Sequence, residues 1–151
     1  MDAVYRLSYA ILGDEADARD AAQETFVAAW RQLPRLRDVD RFDAWFQRVA
    51  VNAARMTLRA RGRRRVREIP AVQVAGLAET AVAPADADRL DAALRRLPLE
   101  QREILALHHL DGRPVVELAE ILEIPVGTVK SRLHTARQAL QRALADQEPD
   151  R

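Results

Sequence analysis

The side chains of this chain that could do chemistry are arranged to bind rather than to break bonds. Between Val115 and Leu144 two helical apolar patterns are separated by a short break at Glu123 to Pro125. The second pattern carries Lys130, Arg132, Arg137 and Arg142 with no acid before Asp146. A helix-turn-helix has this form when its second helix lies against phosphates. With Val129, Leu133, Ala136, Leu140 and Leu144 as its buried stripe, Thr128, Lys130, Ser131, His134, Thr135 and Gln138 fall on the outer faces. There Thr128, Lys130, Ser131, Arg132, His134 and Thr135 offer donors, acceptors and a methyl to base edges, while the cations hold the backbone. A four-helix packing module with a merely soluble basic end is the competing account. The break, the small Ala119 and the acid-free basic face together favour DNA.

A second array lies upstream. Arg48, Asn52, Arg55 and Arg59 are spaced i, i+4, i+7 and i+11, which puts them on one stripe of a helix. Phe42, Trp45 and Phe46 precede them, and Arg61, Arg63, Arg64 and Arg65 follow. Aromatic rings can stack on unpaired bases while guanidinium groups hold the strand. For at least two of the three aromatics, core packing is the better expectation. A third array, Asp17, Asp20, Gln23 and Glu24, makes a polar and mainly acidic helix face. Capping and the helix dipole account for Asp14 to Asp17 but not for Gln23 and Glu24.

Catalytic readings fare badly. His108 and His109 are adjacent and must point in different directions on a helix, and neither they nor His134 belong to a metal-ligand pattern. All three are expected to be structural or at the surface, with His134 alone near DNA. No glycine-rich phosphate loop, no nucleophile signature and no cysteine is found. The expectation is a protein that is not an enzyme and needs no cofactor or metal.

These arrays must be positioned by helices. With 151 residues, 48% of them hydrophobic and 31% charged, the chain can form one domain or two small ones. Its net charge of +1 hides a segregation: residues 1–30 hold six acids and two arginines, whereas residues 31–67 hold twelve arginines and three acids. A polyanion is attracted to one part and repelled by the other.

Val4, Leu7 and Ile11 predict a first helix ended by Gly13. Asp14 caps a second, with inward positions Ala18, Ala21, Ala22, Thr25, Phe26, Ala29 and Leu33, stopped by Pro34. After a basic loop from Arg35 to Arg41, Asp40 caps a third helix running to about Arg61, buried through Phe42, Trp45, Phe46, Val49, Ala53 and Met56. All seven aromatics fall in the first 46 residues, which predicts a dense core for that half. Periodicity is lost from Val66 to Ala87, where Pro70, Gly76 and Pro84 suggest a mobile linker. It resumes at Asp86 or Asp88 with Leu90, Ala93, Leu94 and Leu97. A helix with Ile104, Leu105 and His108 on one side follows and stops at Asp111-Gly112. Next comes a helix opened by Pro114 with Leu118, Ala119 and Leu122 inward, and then the basic helix. The fold expected is all-α: two small helical domains joined by a flexible linker, the C-terminal one containing the helix-turn-helix. The boundaries are residues 1–65, a linker at 66–87, residues 88–146 and a fraying tail at 147–151. No signal peptide or membrane-spanning run is apparent, so a soluble, cytoplasmic protein without membrane insertion is expected.

Three motifs in this order resemble the extracytoplasmic-function (ECF) sigma factors of the sigma-70 family, which are initiation subunits of bacterial RNA polymerase. They are Asp17-Ala18-Arg19-Asp20-Ala21-Ala22-Gln23-Glu24-Thr25-Phe26-Val27-Ala28-Ala29-Trp30; Ala44-Trp45-Phe46 with Asn52 and Arg59; and Pro125-Val126-Gly127-Thr128-Val129-Lys130-Ser131-Arg132-Leu133-His134. The resemblance implies that residues 1–65 are sigma region 2 and residues 88–146 sigma region 4. It implies that Asp20, Gln23 and Glu24 dock on the clamp coiled coil of core RNA polymerase. Trp45, Arg48, Asn52, Arg55 and Arg59 would contact the melted −10 element of promoter DNA. Thr128, Lys130, Ser131, Arg132, His134 and Thr135 would read the −35 element, while region 4 also meets the polymerase flap. An anti-sigma factor is a further partner the resemblance admits. Arg19, Ala21-Ala22, Val51, Met56, Glu123 and Thr135 depart from the usual residues of the family. Glu123 stands where glycine is common, at a cost of about 1 kcal/mol if the position needs a positive φ. Two other functions are consistent with the residues: a stand-alone helix-turn-helix regulator, and a sigma-like module acting mainly through a regulatory protein partner.

Overall fold

A computed structural model describes residues 1–67 and 85–147, and among these residues every element is helical. The helices are α1 (Asp2–Leu12), α2 (Glu15–Gln32), α3 (Phe42–Arg67), α4 (Ala85–Arg95), α5 (Leu99–Leu105, continuing as a π turn over Ala106–Leu110), α6 (Val115–Leu122) and α7 (Val126–Ala145). The first three form one bundle and the last four another. Val66, Arg67 and Ala85 to Ala87, expected in the linker, are helical, and the rest of that stretch lies outside the described residues, as do the last four of the tail.

Local chemistry explains most of the helix ends. Gly13 ends α1 at φ 69°, a left-handed conformation. The Asp14 carboxylate then accepts the Asp17 amide at 2.9 Å as the cap of α2. Pro34 falls in a 3-10 turn directly after α2. The start of α3 differs from expectation. Its entry is a second 3-10 turn, Val39–Arg41, and Asp38 rather than Asp40 is the cap, accepting the Asp40 amide at 3.1 Å.

Small residues determine how closely the first three helices approach. Ala18, Ala21 and Ala22 of α2 are buried, as are Ala50, Ala53 and Ala54 of α3. Thr25 is buried too, its hydroxyl donating to the Ala21 carbonyl at 2.7 Å. The aromatic core expected in this half is not there. Phe26 is 38% exposed, Trp30 78% and Phe42 41%, and the remaining aromatics are only partly covered. Leu33 and Met56, also expected inside, are exposed, and Val51 and Ala54 are buried instead.

In the second bundle Ala93, Leu97, Ile104, Leu107, Leu118, Ile121, Val129, Leu133 and Ala136 form the core, while Leu122 and Ala119 pack at its edge. The two bundles are not separate. One continuous apolar cluster runs from Val4, Leu7 and Ile11 of α1 into Leu105, Ala106 and Leu107 of α5 and on into α7, and α3 packs against α6.

Gly13 lies at this junction. A Cβ there would meet Cγ of Arg95 in α4 at 2.7 Å, near the root of that side chain, so the shift forced on Arg95 adds to the cost of the backbone conformation. Gly13→Ala is expected to lose at least about 1 kcal/mol and to lower the melting temperature by about 3 °C or more, measured by calorimetry.

Candidate functional site

The helix-turn-helix is built as its sequence predicts. Glu123 closes α6 in the left-handed region at φ 55°, the Ile124 amide donates to the Ala119 carbonyl at 3.1 Å, and Pro125 precedes α7. Val129, Leu133 and Ala136 are buried beneath α7, so Lys130, Ser131, His134 and Thr135 face outward and are exposed. Thr128 is half-buried and its carbonyl accepts the Ser131 hydroxyl at 3.1 Å. Arg132 is also half-buried and points toward Glu100 of α5, 3.9 Å away. The outward set is short, polar and cationic, which suits an edge-reading helix.

The arginine stripe of α3 is divided along its length. Asn52 and Arg59 are exposed, whereas Arg48 and Arg55 lean against the second bundle. Arg55 donates from Nε and Nη2 to both oxygens of Glu103, at 2.7 and 2.8 Å. Glu103 is buried, and this charge-assisted pair raises the Arg55 pKa further above its ordinary value. Arg48 donates to the Glu120 carbonyl at 2.8 Å and lies 3.4 Å from the Glu123 carboxylate. Arg41 donates to the Glu120 carboxylate from Nε and Nη2.

Trp45 is half-buried, its ring 5.5 Å from that of Phe42, which in turn stacks on Phe46 at 5.8 Å. With Arg35, Arg37, Arg41 and Arg48 it borders a cleft of about 430 Å³ that also contains Glu120. The cleft brings the basic loop and the aromatic edge together. The sequence supplied both ends of it but not the acid.

Asp20, Gln23 and Glu24 are exposed along α2, and Asp20 and Glu24 border a groove of about 640 Å³ together with Asn52 and Met56 of α3. Asp17 borders the same groove and is paired there with Arg61 at 3.2 Å. Continuing the face toward the C-terminus are Val27 and the largely exposed Trp30, the latter expected in the core of this half.

The histidines have local roles. His108 Nδ1 is 2.8 Å from the Arg113 carbonyl, and His109 Nε2 accepts from Arg137 at 3.3 Å. The His108 and His109 rings meet edge to face with centroids 4.8 Å apart. Burial first, then the neighbouring His108 and Arg137, lowers the His109 pKa and favours its neutral form. Among the described residues no group of three or more His, Cys, Asp or Glu side chains could hold a metal ion, and no helix is long and apolar enough to cross a membrane.

Two further contacts between the bundles were likewise not foreseen. Arg113 makes paired hydrogen bonds to Asp43, one of 3.1 Å, which with the neighbouring charge hold the Asp43 carboxyl below its usual range. Tyr9 of α1 donates to Asp91 of α4 at 3.2 Å. Glu103 alone left a signal in the sequence: with Leu99 and Leu107 it is spaced i, i+4, i+8, a carboxylate inside an apolar stripe.

These features define an all-helical protein with a helix-turn-helix of polar, cationic outer face in one bundle and an arginine-rich helix beside an acidic face in the other. Sigma-70 region 2 matches residues 1–64 and sigma-70 region 4 matches residues 87–140. The ECF RNA polymerase sigma factor SigW of Bacillus subtilis (strain 168) is 32% identical over 96% of this chain and 84% of its own length. The fold is shared with CnrH, solved in complex with the cytosolic domain of CnrY, at TM-score 0.73 and 27% identity, covering 97% of this chain and 83% of that one. It is shared as well with the sigma factor RpoE of Bartonella quintana, solved with the anti-sigma factor NepR, at TM-score 0.76 and 24% identity, covering 97% and 92%. The chain belongs to the sigma-70 family, in its ECF group, and is a sigma factor of transcription initiation.

The Tyr9 contact gives a spectroscopic reporter of bundle packing. Burial, then the Asp91 charge and hydrogen bond, raise the Tyr9 phenol above its ordinary 10. A raised value favours the neutral phenol, so its contribution to stability is complete below the unfolded value and is lost as pH rises through the folded one. An ultraviolet titration is expected to show a component ionising above pH 10 that Tyr9→Phe abolishes.

Proposed function

We propose that residues 1–65 dock on core RNA polymerase and engage the −10 element, while residues 88–146 read the −35 element. The observation that carries this reading is the pair of outward surfaces left on the two matched regions: the Asp20, Gln23 and Glu24 face of α2, and the polar, cationic face of α7. The acidic face continues into exposed Val27 and Trp30, a charged and apolar combination suited to a helical protein partner. It is offered to the clamp coiled coil, and region 4 to the flap. Thr128, Lys130, Ser131, Arg132, His134 and Thr135 serve the duplex, with Lys130 and Arg132 on phosphates.

Trp45, Arg48, Asn52, Arg55 and Arg59 serve the melted strand. Asn52 and Arg59 are already exposed and Trp45 edges a basic cleft, which favours this role. The chain carries out no catalysis of its own and works in the cytoplasm with the polymerase. CnrH and RpoE, which share this fold, were solved with partner proteins, and an anti-sigma factor is proposed as the regulator of this chain too.

Reconstitution with bacterial core polymerase and mapped promoters tests the assignment. Asp20→Ala with Glu24→Ala is expected to weaken core binding about tenfold or more, roughly 1.4 kcal/mol, and to leave −35 duplex binding by the free protein unchanged. Lys130→Ala is expected to lower the slope of log affinity against log salt on −35 duplex by about one. Asn52→Ala or Trp45→Ala is expected to reduce permanganate reactivity at the −10 element without loss of core binding. Retention of full core binding by the Asp20, Glu24 variant would refute the docking face.

A further inference from the structure

We propose that the free protein is held closed by a carboxylate clasp in which Glu103, Glu120 and Glu123 of the second bundle occupy Arg55, Arg41 and Arg48 as strand phosphates would. The masking half of this inference rests on the proposed assignment of α3 to the −10 strand, but the closure itself does not.

The geometry is that of phosphate recognition directed inward. Arg55 grips both oxygens of Glu103 in the paired arrangement that guanidinium uses for phosphate as well as for carboxylate. Arg41 places two nitrogens on the Glu120 carboxylate, and Arg48 is divided between the Glu120 carbonyl and the Glu123 carboxylate. Glu120 thereby sits inside the cleft bordered by Trp45 and the basic loop, the surface a displaced strand would enter. A phosphate and these carboxylates cannot share the same donors, so strand engagement requires α3 to part from α5 and α6.

Masking is one-sided. The clasp covers Arg48 and Arg55 but leaves Asn52 and Arg59 exposed on α3, and Lys130, Ser131, His134 and Thr135 exposed on α7. A closed molecule therefore keeps its duplex-reading face available while its strand-binding arginines are occupied.

The seam also has a weak side. Between α1 and the second bundle lies a mainly apolar groove of about 350 Å³, walled by Tyr5, Tyr9, Leu90, Leu94, Leu105 and Leu140. Apolar closure is incomplete there, beside the continuous buried cluster, and on the α3 side the seam is closed by the polar pairs.

The chain has no cysteine, so Ala16→Cys and Gln141→Cys, both at exposed positions, allow a donor and acceptor dye pair to be placed on the full-length protein. Energy transfer is compared between the labelled parent and Glu103→Gln/Glu120→Gln/Glu123→Gln, alongside binding of a labelled −10 single strand and a −35 duplex. Asp2→Asn/Glu15→Gln/Asp88→Asn, which removes the same charge from other exposed sites, is the control. The clasp predicts a changed transfer efficiency, strand affinity raised tenfold or more above the control, and duplex affinity within about twofold of it.

Unchanged transfer in the triple variant overturns the clasp, whether or not strand affinity rises. Changed transfer without a gain in strand affinity supports the clasp and overturns the assignment of these arginines to the strand. If the triple variant loses its helical circular dichroism because Glu103 is buried, Glu120→Gln/Glu123→Gln decides on the same readouts. Both of its sites are more accessible, and a threefold or greater gain in strand affinity with changed transfer is expected.

Discussion

Glu103 is a carboxylate whose side chain is 2% exposed, on a helix that otherwise turns Ile104, Leu105 and Leu107 inward. An ionised group in that position is tolerated only with a partner that satisfies both oxygens, because desolvation costs several kcal/mol. Arg55 meets that requirement from α3, in the other bundle, and keeps a third of its own side chain in solvent. The relative placement of α3 and α5 is thus fixed by a charge that neither helix accommodates alone. Around that pair the remaining bridges fall into register: Arg41 and Arg48 with α6 and its turn, Asp43 with Arg113, and Tyr9 with Asp91. The exposed members among these contribute little individually. Their collective effect is orientation.

The apolar contribution in the first bundle is modest in kind. Fully burying a Leu, Ile or Phe stabilises by roughly 1.5–3 kcal/mol, and alanine offers much less area. Yet alanines form most of the inner face of α2 and much of that of α3. They permit close helix crossing, in which dispersion contacts between backbones partly replace the missing side-chain bulk. The aromatics pack at the rim instead, where Phe26 of α2 meets Phe46 of α3 with ring centroids 5.6 Å apart. That placement leaves Trp30, Phe42 and Trp45 where a partner can reach them.

Local signals made much of the architecture legible. Gly13, Asp14, Pro34, Asp111-Gly112 and the 3.6-residue apolar repeats of α1, α6 and α7 act within a few residues of themselves. The helix-turn-helix could therefore be read, with its outward and inward faces. The division of the α3 stripe could not. Periodicity places Arg48, Asn52, Arg55 and Arg59 together, and only the docking of α5 and α6 separates the two that are covered from the two that are not. The aromatic core failed as an expectation because hydrophobicity says that Phe42 and Trp45 favour burial without saying whether their neighbours leave room. Glu103 was readable in principle, as a charge in an apolar stripe, although its partner forty-eight residues away was not.

Glu123 shows how the turn of the helix-turn-helix is connected to the other bundle. Its φ of 55° is the lone positive value on a non-glycine residue among those described, at a position where glycine would avoid a cost of about 1 kcal/mol. Its side chain is largely exposed, so the 3.4 Å approach to Arg48 returns less than the full value of an ion pair. The two terms are of similar size and opposite sign. A glycine here would relax the turn and remove one of the carboxylates facing α3. The strained residue therefore costs the fold little, while it leaves the helix-turn-helix turn electrostatically joined to the arginine stripe it packs against.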